Sequence, residues 1–556
     1  MLAGAAAQGG DAGNGAGKGG GQDDNQEKRA RHTSRIPTMR RLPCRRHPGF
    51  ALTPALALVF ALLGAVPPGA AAPPAPGWAP QVEAILREAG PAQSFWGVAV
   101  YSLDQKRTLF AYNADRLFTP ASNTKLFTTA AALHGIGPDY RFHTSVEAAA
   151  APDGQGRVAG DLVLVGRGDP TLSGRTWPYQ PPPPPGAPAA PAAALPPDQA
   201  IENLADQLQQ RGVKVVEGDI VGDDSYFADE RWGEGWSQDD LVWDYGAPVS
   251  ALTINDNVML LDATPAARVG DTAVLRFDPW QGVGRVINRL QTVAAGGARD
   301  IELARRIGSE DVEVWGTIPL GGEVEHTAVA VTDPALFAAR LLQAALARRG
   351  ILVYGRVRAR HLAAHLLQTP PAEAARVELA AHDSVPLGED LQLLDKISQN
   401  LHAELVYRLL GKLRAGEGSL AGGQKAVTAF LSEAGVAPQE YFFRDGSGMS
   451  RENLVAPDAI VRLLAFMDAQ PEAATWRGLL PIGGRDGSLA GRFKEASVSG
   501  RILAKTGTLE HVRALSGYAT TARGERLAFS ILVNNSTLPG PAIRATMDRI
   551  ATALVR

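Results

Sequence analysis

Regular patterning begins near residue 81, where "QVEAILREAG" spaces its apolar residues as one face of a helix. From Trp96 to Ser122, "WGVAVYSLDQKRTLFAYNADRLFTPAS" alternates apolar and polar positions around a turn and predicts a β-hairpin. Leu126, Phe127, Ala130, Ala131, Ala132 and Leu133 then fall at helical spacing until Gly135 ends the run. Between about 141 and 370 the texture changes to short β-like runs such as "DLVLVGRGDP", "VKVVEGDIVGDDSYF", "TAVLRFDP" and "VEVWGTI", punctuated by Gly and Asp. Helical spacing returns past 385 in "LLDKISQNLHAELVYRLLG", "GGQKAVTAFLSEAG" and "APDAIVRLLAFMDAQ". Three adjacent antiparallel strands follow in "SGRILAKTGTLEHVRALSGYATTARGERLAFSILVNN", with "ARGER" as one turn. A last helix, 541–555, sets Ile543, Met547, Ile550 and Leu554 on one face. Such a stripe either packs on the preceding sheet, the reading preferred here, or anchors to a membrane. The pattern predicts a helix-and-sheet domain whose two halves flank a long, mainly β insertion.

The N-terminus lacks this periodicity. Residues 1–38 are rich in Gly, Ala and charge and read as a disordered leader that translation from Met39 would omit. Residues 39–72 run from basic ("MRRLPCRRHPG") through apolar ("FALTPALALVFALLGAV") to small residues, the order of a secretory signal. A single transmembrane helix is the alternative, disfavoured by Pro54 and the Pro/Ala exit. Cys44 precedes the apolar run, on the wrong side for lipid attachment. Cleavage near Ala72 removes nine basic and four acidic residues and leaves a mildly acidic chain without cysteine. The expected location is therefore periplasmic, without a stable membrane anchor.

Composition narrows the chemistry further. A chain of 556 residues, 45% hydrophobic, accommodates two or three domains with a sizeable core. Its net charge of −3 gives no reason to expect a nucleic-acid partner. The lone Cys44 excludes an intrachain disulfide framework, a Cys-rich zinc site and a cysteine nucleophile in the body of the protein. The segment Pro178–Pro197, "PYQPPPPPGAPAAPAAALPP", is of low complexity and reads as a surface loop.

Ser122 precedes Lys125 by one helical turn. Alone this pair is as good a helix start as a catalytic element, since about one Ser-x-x-Lys is expected by chance in a chain this long. Two further elements change its meaning. "SQN" (Ser398, Gln399, Asn400) lies at the start or in the first turns of a helix, and "KTG" (Lys505, Thr506, Gly507) on an inner or edge strand. Serine attacks an acyl carbon well only when a neighbouring base takes its proton. A lysine serves as that base once burial and a second cation, here Lys505, lower its pKa. Ser398 is then available to relay a proton to a leaving amine, and Asn400 to orient Lys125 and the substrate amide. Lys505 and Thr506 suit a substrate carboxylate, and Gly507 allows a ligand backbone close approach. The backbone N–H groups of Ser122 and Thr508 are the expected oxyanion donors. This chemistry calls for no metal and no cofactor. The order S-x-x-K, S-x-N, K-T-G is that of the penicillin-binding proteins and class A β-lactamases.

Beyond these motifs, "GRGDPTL", "GDIVGDDSYF", "YGAPVSALTINDN", "DGSGMSRENL" and "PIGGRDGSL" resemble signatures of one family, and 276 residues separate the first two motifs. From about 80 to 556 the chain resembles the class C low-molecular-mass penicillin-binding proteins, D-alanyl-D-alanine carboxypeptidase/endopeptidases of the DacB type (peptidase family S13). The resemblance implies an α/β (α+β) transpeptidase/β-lactamase-like fold. Its antiparallel five-stranded sheet is flanked by helices and carries two mainly β inserted domains. The implied division is 79–142 with 372–556 for the catalytic domain, 143–226 with 345–371 for the first insertion, and 227–344 for the second. It also implies peptidoglycan stem peptides and cross-links as substrate, an acyl-enzyme on Ser122, and inhibition by β-lactams. Asp223, next to Asp224, and Arg451 would recognise a diaminopimelate side chain, with Leu509 as an apolar wall. Gln399 in place of the common Asp and the carboxylate of Glu510 depart from the family pattern. A β-lactamase or esterase on the same scaffold, a binding protein with vestigial catalysis, and a homodimer or cell-wall complex stay open. Ser447 and Asp169 read as turn residues, "GVG" (282–284) as no dinucleotide motif, and His511 as a strand residue.

Overall fold

The computed structural model describes residues 76–89, 94–181, 195–282, 284–367 and 375–556. The leader, the signal segment and most of the Pro-rich stretch lie outside these residues.

The expected hairpin forms from strands Phe95–Ser102 and Arg107–Tyr112. The three late strands are Ile502–Leu509, Val512–Thr520 and Arg526–Asn534. Together they build one antiparallel five-stranded sheet, in the order 502–509, 512–520, 526–534, 95–102, 107–112. Early and late strands of the described residues therefore share a sheet, and the KTG strand lies at its edge. Period-two alternation gives the sheet two apolar faces. Val98, Val100, Phe529 and Ile531 meet the first helix, Ala79–Ala89, and the last, Gly540–Val555, whose Ile543, Met547, Ile550 and Leu554 are buried. Packing on the sheet, rather than a membrane, thus accounts for that stripe. Ala99, Ala528 and Leu532 face a second core built with the helices Thr124–Gly135, Leu387–Ile397, Asn400–Ala415, Leu420–Glu433 and Pro457–Asp468. No helix among the described residues is long and apolar enough to cross a membrane.

The intervening chain has a core of its own. A mixed five-stranded sheet runs in the order 357–362, 220–228, 162–165, 143–148, 377–383. Two three-stranded sheets, 286–293/312–319/300–305 and 325–330/258–264/274–278, follow. Two expected boundaries move. Strand Val377–Asp383 pairs with His143–Ala148, so it belongs to the mixed sheet and not to the catalytic half begun at 372. Helix Pro334–Arg348 packs on strands 220–228 and 357–362, so it leaves the second insertion for the first. Both segments are too short and too generic in pattern for the sequence to reveal their neighbours.

Candidate active site

Ser122 sits in a single 3₁₀ turn, Ala121–Asn123, that leads into the helix Thr124–Gly135. Ala121 adopts φ 48°, a left-handed conformation that a non-glycine residue holds at a cost of about 1–2 kcal/mol. The helix is buried from Thr124 to Leu133, so Lys125, one turn after Ser122, is fully buried as well. Its Nζ donates to Ser122 Oγ at 3.1 Å, to Asn400 Oδ1 at 2.6 Å and to the Ser447 carbonyl at 2.6 Å. Burial pushes the Lys125 amine well below the usual lysine range, and the charge of Lys505 pushes the same way. Asp445, Glu404 and Asp395 oppose that shift without cancelling it.

The SQN residues occupy a junction between two helices. Ser398 caps Leu387–Ile397 in the left-handed region at φ 65°, Gln399 is the N-cap of the next helix, and Asn400 begins it. The Gln399 side chain accepts from Leu401 N, which satisfies one of the free N–H groups of the helix start. Lys505 is fully buried on the KTG strand and donates to Ser398 Oγ at 2.7 Å. Burial lowers the Lys505 pKa too, with Asp395 pulling against it. Thr506 Oγ1 bonds Ser488 Oγ at 2.8 Å. Gly507 admits no side chain. A Cβ there would lie 2.8 Å from the Pro120 carbonyl and 3.1 Å from Ser122 N. The close approach this glycine permits is thus to the serine turn of the chain itself, where a ligand backbone was expected. Thr508 is exposed and Leu509 half-buried. Ala504 N donates to the Pro481 carbonyl along the outer edge, so strand alternation points the N–H groups of Thr506 and Thr508 to that same edge.

Ser122, Lys125 and Asn400 form one hydrogen-bonded group and Ser398 with Lys505 a second, and the charge of Lys505 acts on Lys125 across the cluster. An amine of lowered proton affinity at hydrogen-bond distance from a hydroxyl is able to activate it as a nucleophile. Arg451 lies near the end of the KTG strand, its Nη1 donating to the Glu510 carbonyl at 3.3 Å. Asp223 is not drawn in. It is buried in strand 220–228, accepts from Ser225 and from Arg360 at 3.1 Å, and makes no hydrogen bond or ion pair to the cluster among the described residues. His511 stands in the turn between strands 502–509 and 512–520 with φ 63°, not in a strand as expected. Ser447 and Asp169 are turn residues, Asp169 accepting from both Thr171 N and Oγ1.

Several residues of the site escaped sequence reading. Asn123 Nδ2 donates to the Lys505 carbonyl at 2.9 Å and ties the serine turn to the KTG strand. The Ser447 loop is held by Glu404, which accepts from Gly446 N and Ser447 N, and by Asp445, which accepts from Gly448 N and Ser450 N. Burial and the neighbouring Glu404 raise Asp445 to about 6. Asp395, fully buried three residues before Ser398, is raised by burial against the pull of Lys505, Lys125 and Lys396. A charged residue inside the apolar stripe Leu391, Leu393, Leu394 was the available signal for it.

Comparison with known proteins shows the family. The model of the D-Ala-D-Ala carboxypeptidase 3 (S13) family matches residues 79–554. A D-alanyl-D-alanine carboxypeptidase of Actinomadura sp. (strain R39) is 35% identical over 485 residues, 85% of this chain and 83% of that protein. The D-alanyl-D-alanine carboxypeptidase DacB of Haemophilus influenzae is 26% identical over 448 residues, 80% of this chain and 86% of its own. The crystal structure of penicillin binding protein 4 (dacB) from Haemophilus influenzae matches with a TM-score of 0.71 at 25% identity, over 84% of this chain and 97% of that one. The fold is the penicillin-binding protein/β-lactamase-like fold that the motifs implied. With a family match over nearly all of the described residues, the chain belongs to the D-Ala-D-Ala carboxypeptidase 3 (S13) family and is an enzyme of the serine-peptidase class.

Proposed function

We propose that the protein is a D-Ala-D-Ala carboxypeptidase with D,D-endopeptidase activity on peptidoglycan, working through an acyl-enzyme on Ser122. The observation that carries this reading is the buried Lys125 amine, 3.1 Å from Ser122 Oγ and lowered in pKa. Neutral Lys125 takes the Ser122 proton as Oγ bonds to the carbonyl carbon of the penultimate D-Ala. The N–H groups of Ser122 and Thr508 receive the oxyanion. Loss of one such donor typically costs about 10²–10³ in rate. As the C–N bond breaks, the terminal D-Ala, or the diaminopimelate of a cross-link, leaves as an amine with a proton passed through Ser398. Ser398 is oriented by the hydrogen bond it accepts from the Lys505 ammonium, and the proton it relays is the one Lys125 took from Ser122, so Lys125 is neutral again for the next step. Water then deacylates Ser122, with Lys125 again as base. Asn400 orients Lys125 and the substrate amide. Lys505 and Thr506 hold the substrate carboxylate, and Leu509 walls the far end.

Arg451, beside Glu510 at the end of the KTG strand, is assigned to the substrate side chain. Assigning Asp223 there carries a condition: a cationic ligand group has to displace Arg360. The two insertions are read as separate domains with the boundaries corrected above. Export to the periplasm and acylation by β-lactams complete the proposal. The relative crystallised from Haemophilus influenzae is itself called a penicillin binding protein.

The test combines D-Ala release from a pentapeptide and cleavage of a cross-linked muropeptide to its monomers with labelling by fluorescent penicillin. The expected result is both reactions, a stable adduct on Ser122, and loss of both reactions and the adduct by Ser122→Ala. Release by Ser122→Ala sinks the assignment, and rapid turnover of penicillin identifies a β-lactamase instead.

A further inference from the structure

Beneath the SQN junction lies a buried polar chain that the reaction above does not use. Gln399 Nε2 donates to Asp256 Oδ2 at 3.0 Å. Asp256 Oδ1 lies 3.1 Å from His402 Nε2, and His402 Nδ1 lies 2.6 Å from Asp390 Oδ1. Arg175 closes the chain from the other side by pairing with Asp256. His402 and Asp390 are fully buried and Asp256 nearly so. Asp256 and Arg175 come from the intervening chain, whereas Gln399, His402 and Asp390 flank the catalytic turn.

The backbone around Asp256 is as unusual as the junction it touches. Asn255, Asp256 and Asn257 all have positive φ, at 50°, 54° and 57°. Three consecutive left-handed non-glycine residues persist only where their surroundings over-determine them. Here Asn257 Nδ2 donates to the Pro248 carbonyl at 2.8 Å, Asn255 Nδ2 to the Val258 carbonyl at 3.0 Å, and Asn255 N to the Leu172 carbonyl at 2.8 Å. The result is a rigid hook that presents one carboxylate to Gln399 and His402.

The same part of the chain fixes Asn400. Its Nδ2 donates to the Tyr245 carbonyl at 2.8 Å, which forces its Oδ1 toward Lys125. The opposite amide orientation would set an NH₂ against the lysine amine, donor against donor. Gln399 is fixed by the same logic, since its Oε1 accepts from Leu401 N and only Nε2 remains for Asp256. Both polar neighbours of the Ser398 hydroxyl in sequence are thus oriented by residues more than 140 positions away.

We propose that Asp256 is a positioning residue for catalysis: through Gln399 and His402 it holds the Ser398–Asn400 turn in the conformation that presents Asn400 to Lys125 and Ser398 to Lys505. The intervening chain then has a defined part in acyl transfer, because it supplies the floor on which the second motif rests. A misplacement of about 1 Å at such a turn is enough to cost roughly 10²-fold in rate. The inference rests on the reading of Ser122 as nucleophile and Lys125 as base.

The experiment measures the rate of acylation by fluorescent penicillin, per folded molecule, together with kcat and KM for D-Ala release from a pentapeptide. Gln399→Glu keeps the N-cap acceptor but sets a carboxylate against Asp256. The double variant Gln399→Glu with Asp256→Asn exchanges donor and acceptor across this contact and leaves Arg175, which also donates to Asp256 Oδ2, the carboxylate at position 399 as its acceptor. Gln399→Glu is expected to slow acylation and kcat at least tenfold with KM within twofold, and the double variant to recover at least fivefold of that loss. Acylation by Gln399→Glu within twofold of the unaltered enzyme overturns the proposal, as does a double variant no faster than the single one. Ser122→Ala, run alongside, separates the two readings: labelling or D-Ala release by that variant removes the nucleophile assignment and this inference with it. An inactive Ser122→Ala together with an unaffected Gln399→Glu removes this inference alone.

Discussion

Lys125 has three hydrogen-bond acceptors around one amine, and only one of them is the hydroxyl it is proposed to deprotonate. The other two, Asn400 Oδ1 and the Ser447 carbonyl, fix where the amine sits. Its protonation is set by burial and by Lys505. A base works only when unprotonated, so acylation should rise with pH as Lys125 loses its proton. It should fall again when Lys505, also lowered by burial, loses the charge that holds Ser398 and the substrate carboxylate. The two lysines interact, so the limbs of the resulting bell belong to the pair. Lys505→Arg keeps a cation through the alkaline range. Penicillin acylation of that variant, measured from pH 5 to 10, is expected to be slower yet to lack the alkaline limb. An unchanged alkaline limb would assign that ionisation elsewhere.

Two elements approach each other unusually closely at the site, the serine turn and the KTG strand. Gly507 and the Asn123 side chain are what join them. Gly507→Ala places a methyl group 2.8 Å from the Pro120 carbonyl and 2.9 Å from Ala514 Cβ, both parts of the rigid frame. The serine turn has to yield, so acylation should drop by about 10²-fold while the fold survives, a change that penicillin labelling and circular dichroism distinguish. At this scale much was legible in the sequence. The hairpin, the strands and the helix after Ser122 carry strong periodicity, and the three motifs carry residue types that the chemistry requires. What supports the motifs was not legible, for a physical reason. The Ser447 and Tyr245 supports are main-chain carbonyls, which any residue supplies. Asp256 reaches Gln399 only through tertiary folding, and Ser398 and Ala121 gave no sign of their left-handed backbone because neither is glycine. The edge position of the KTG strand likewise follows from pairing and not from its composition.

Among the described residues, strands from before Phe142 and after Ser384 close one sheet, and the chain leaves and re-enters the catalytic half where Ser384 Oγ accepts from Phe142 N. That route is tied to the catalytic half at several points: Trp236 Nε1 donates to Asp445 at 2.9 Å, Asn400 to Tyr245, and Gln399 to Asp256. The Pro-rich segment is tied to that half at its start. Gly174 and Leu195 meet across it so closely that a Cβ at 174 would lie 2.3 Å from the Leu195 carbonyl. Tyr179, near its start, accepts from Gly487 N at 3.0 Å, beside the Ser488 that bonds Thr506. Replacing 182–194 by a short Gly/Ser linker, with Tyr179 kept, should therefore change the melting temperature by less than about 2 °C, because the contacts of Gly174, Tyr179 and Leu195 are left in place. D-Ala release should stay within twofold. A larger loss in either measurement would give that segment a part in the fold or the reaction. Sequence reading recognised it as an insertion from its composition, while its footing beside the site came only with the tertiary structure.

The Tyr245 carbonyl has one more consequence, for how such a protein varies over time. Asn400 is oriented by a peptide oxygen, and every amino acid brings the same oxygen. Exchange of the Tyr245 side chain leaves the contact in place, so substitution surveys would score this position as indifferent. Adding or removing a single residue between Trp243 and Ala247 would carry the oxygen away from Asn400. Selection at this point acts on loop length rather than on letters, and a contact on which the lysine depends leaves no trace in residue identity.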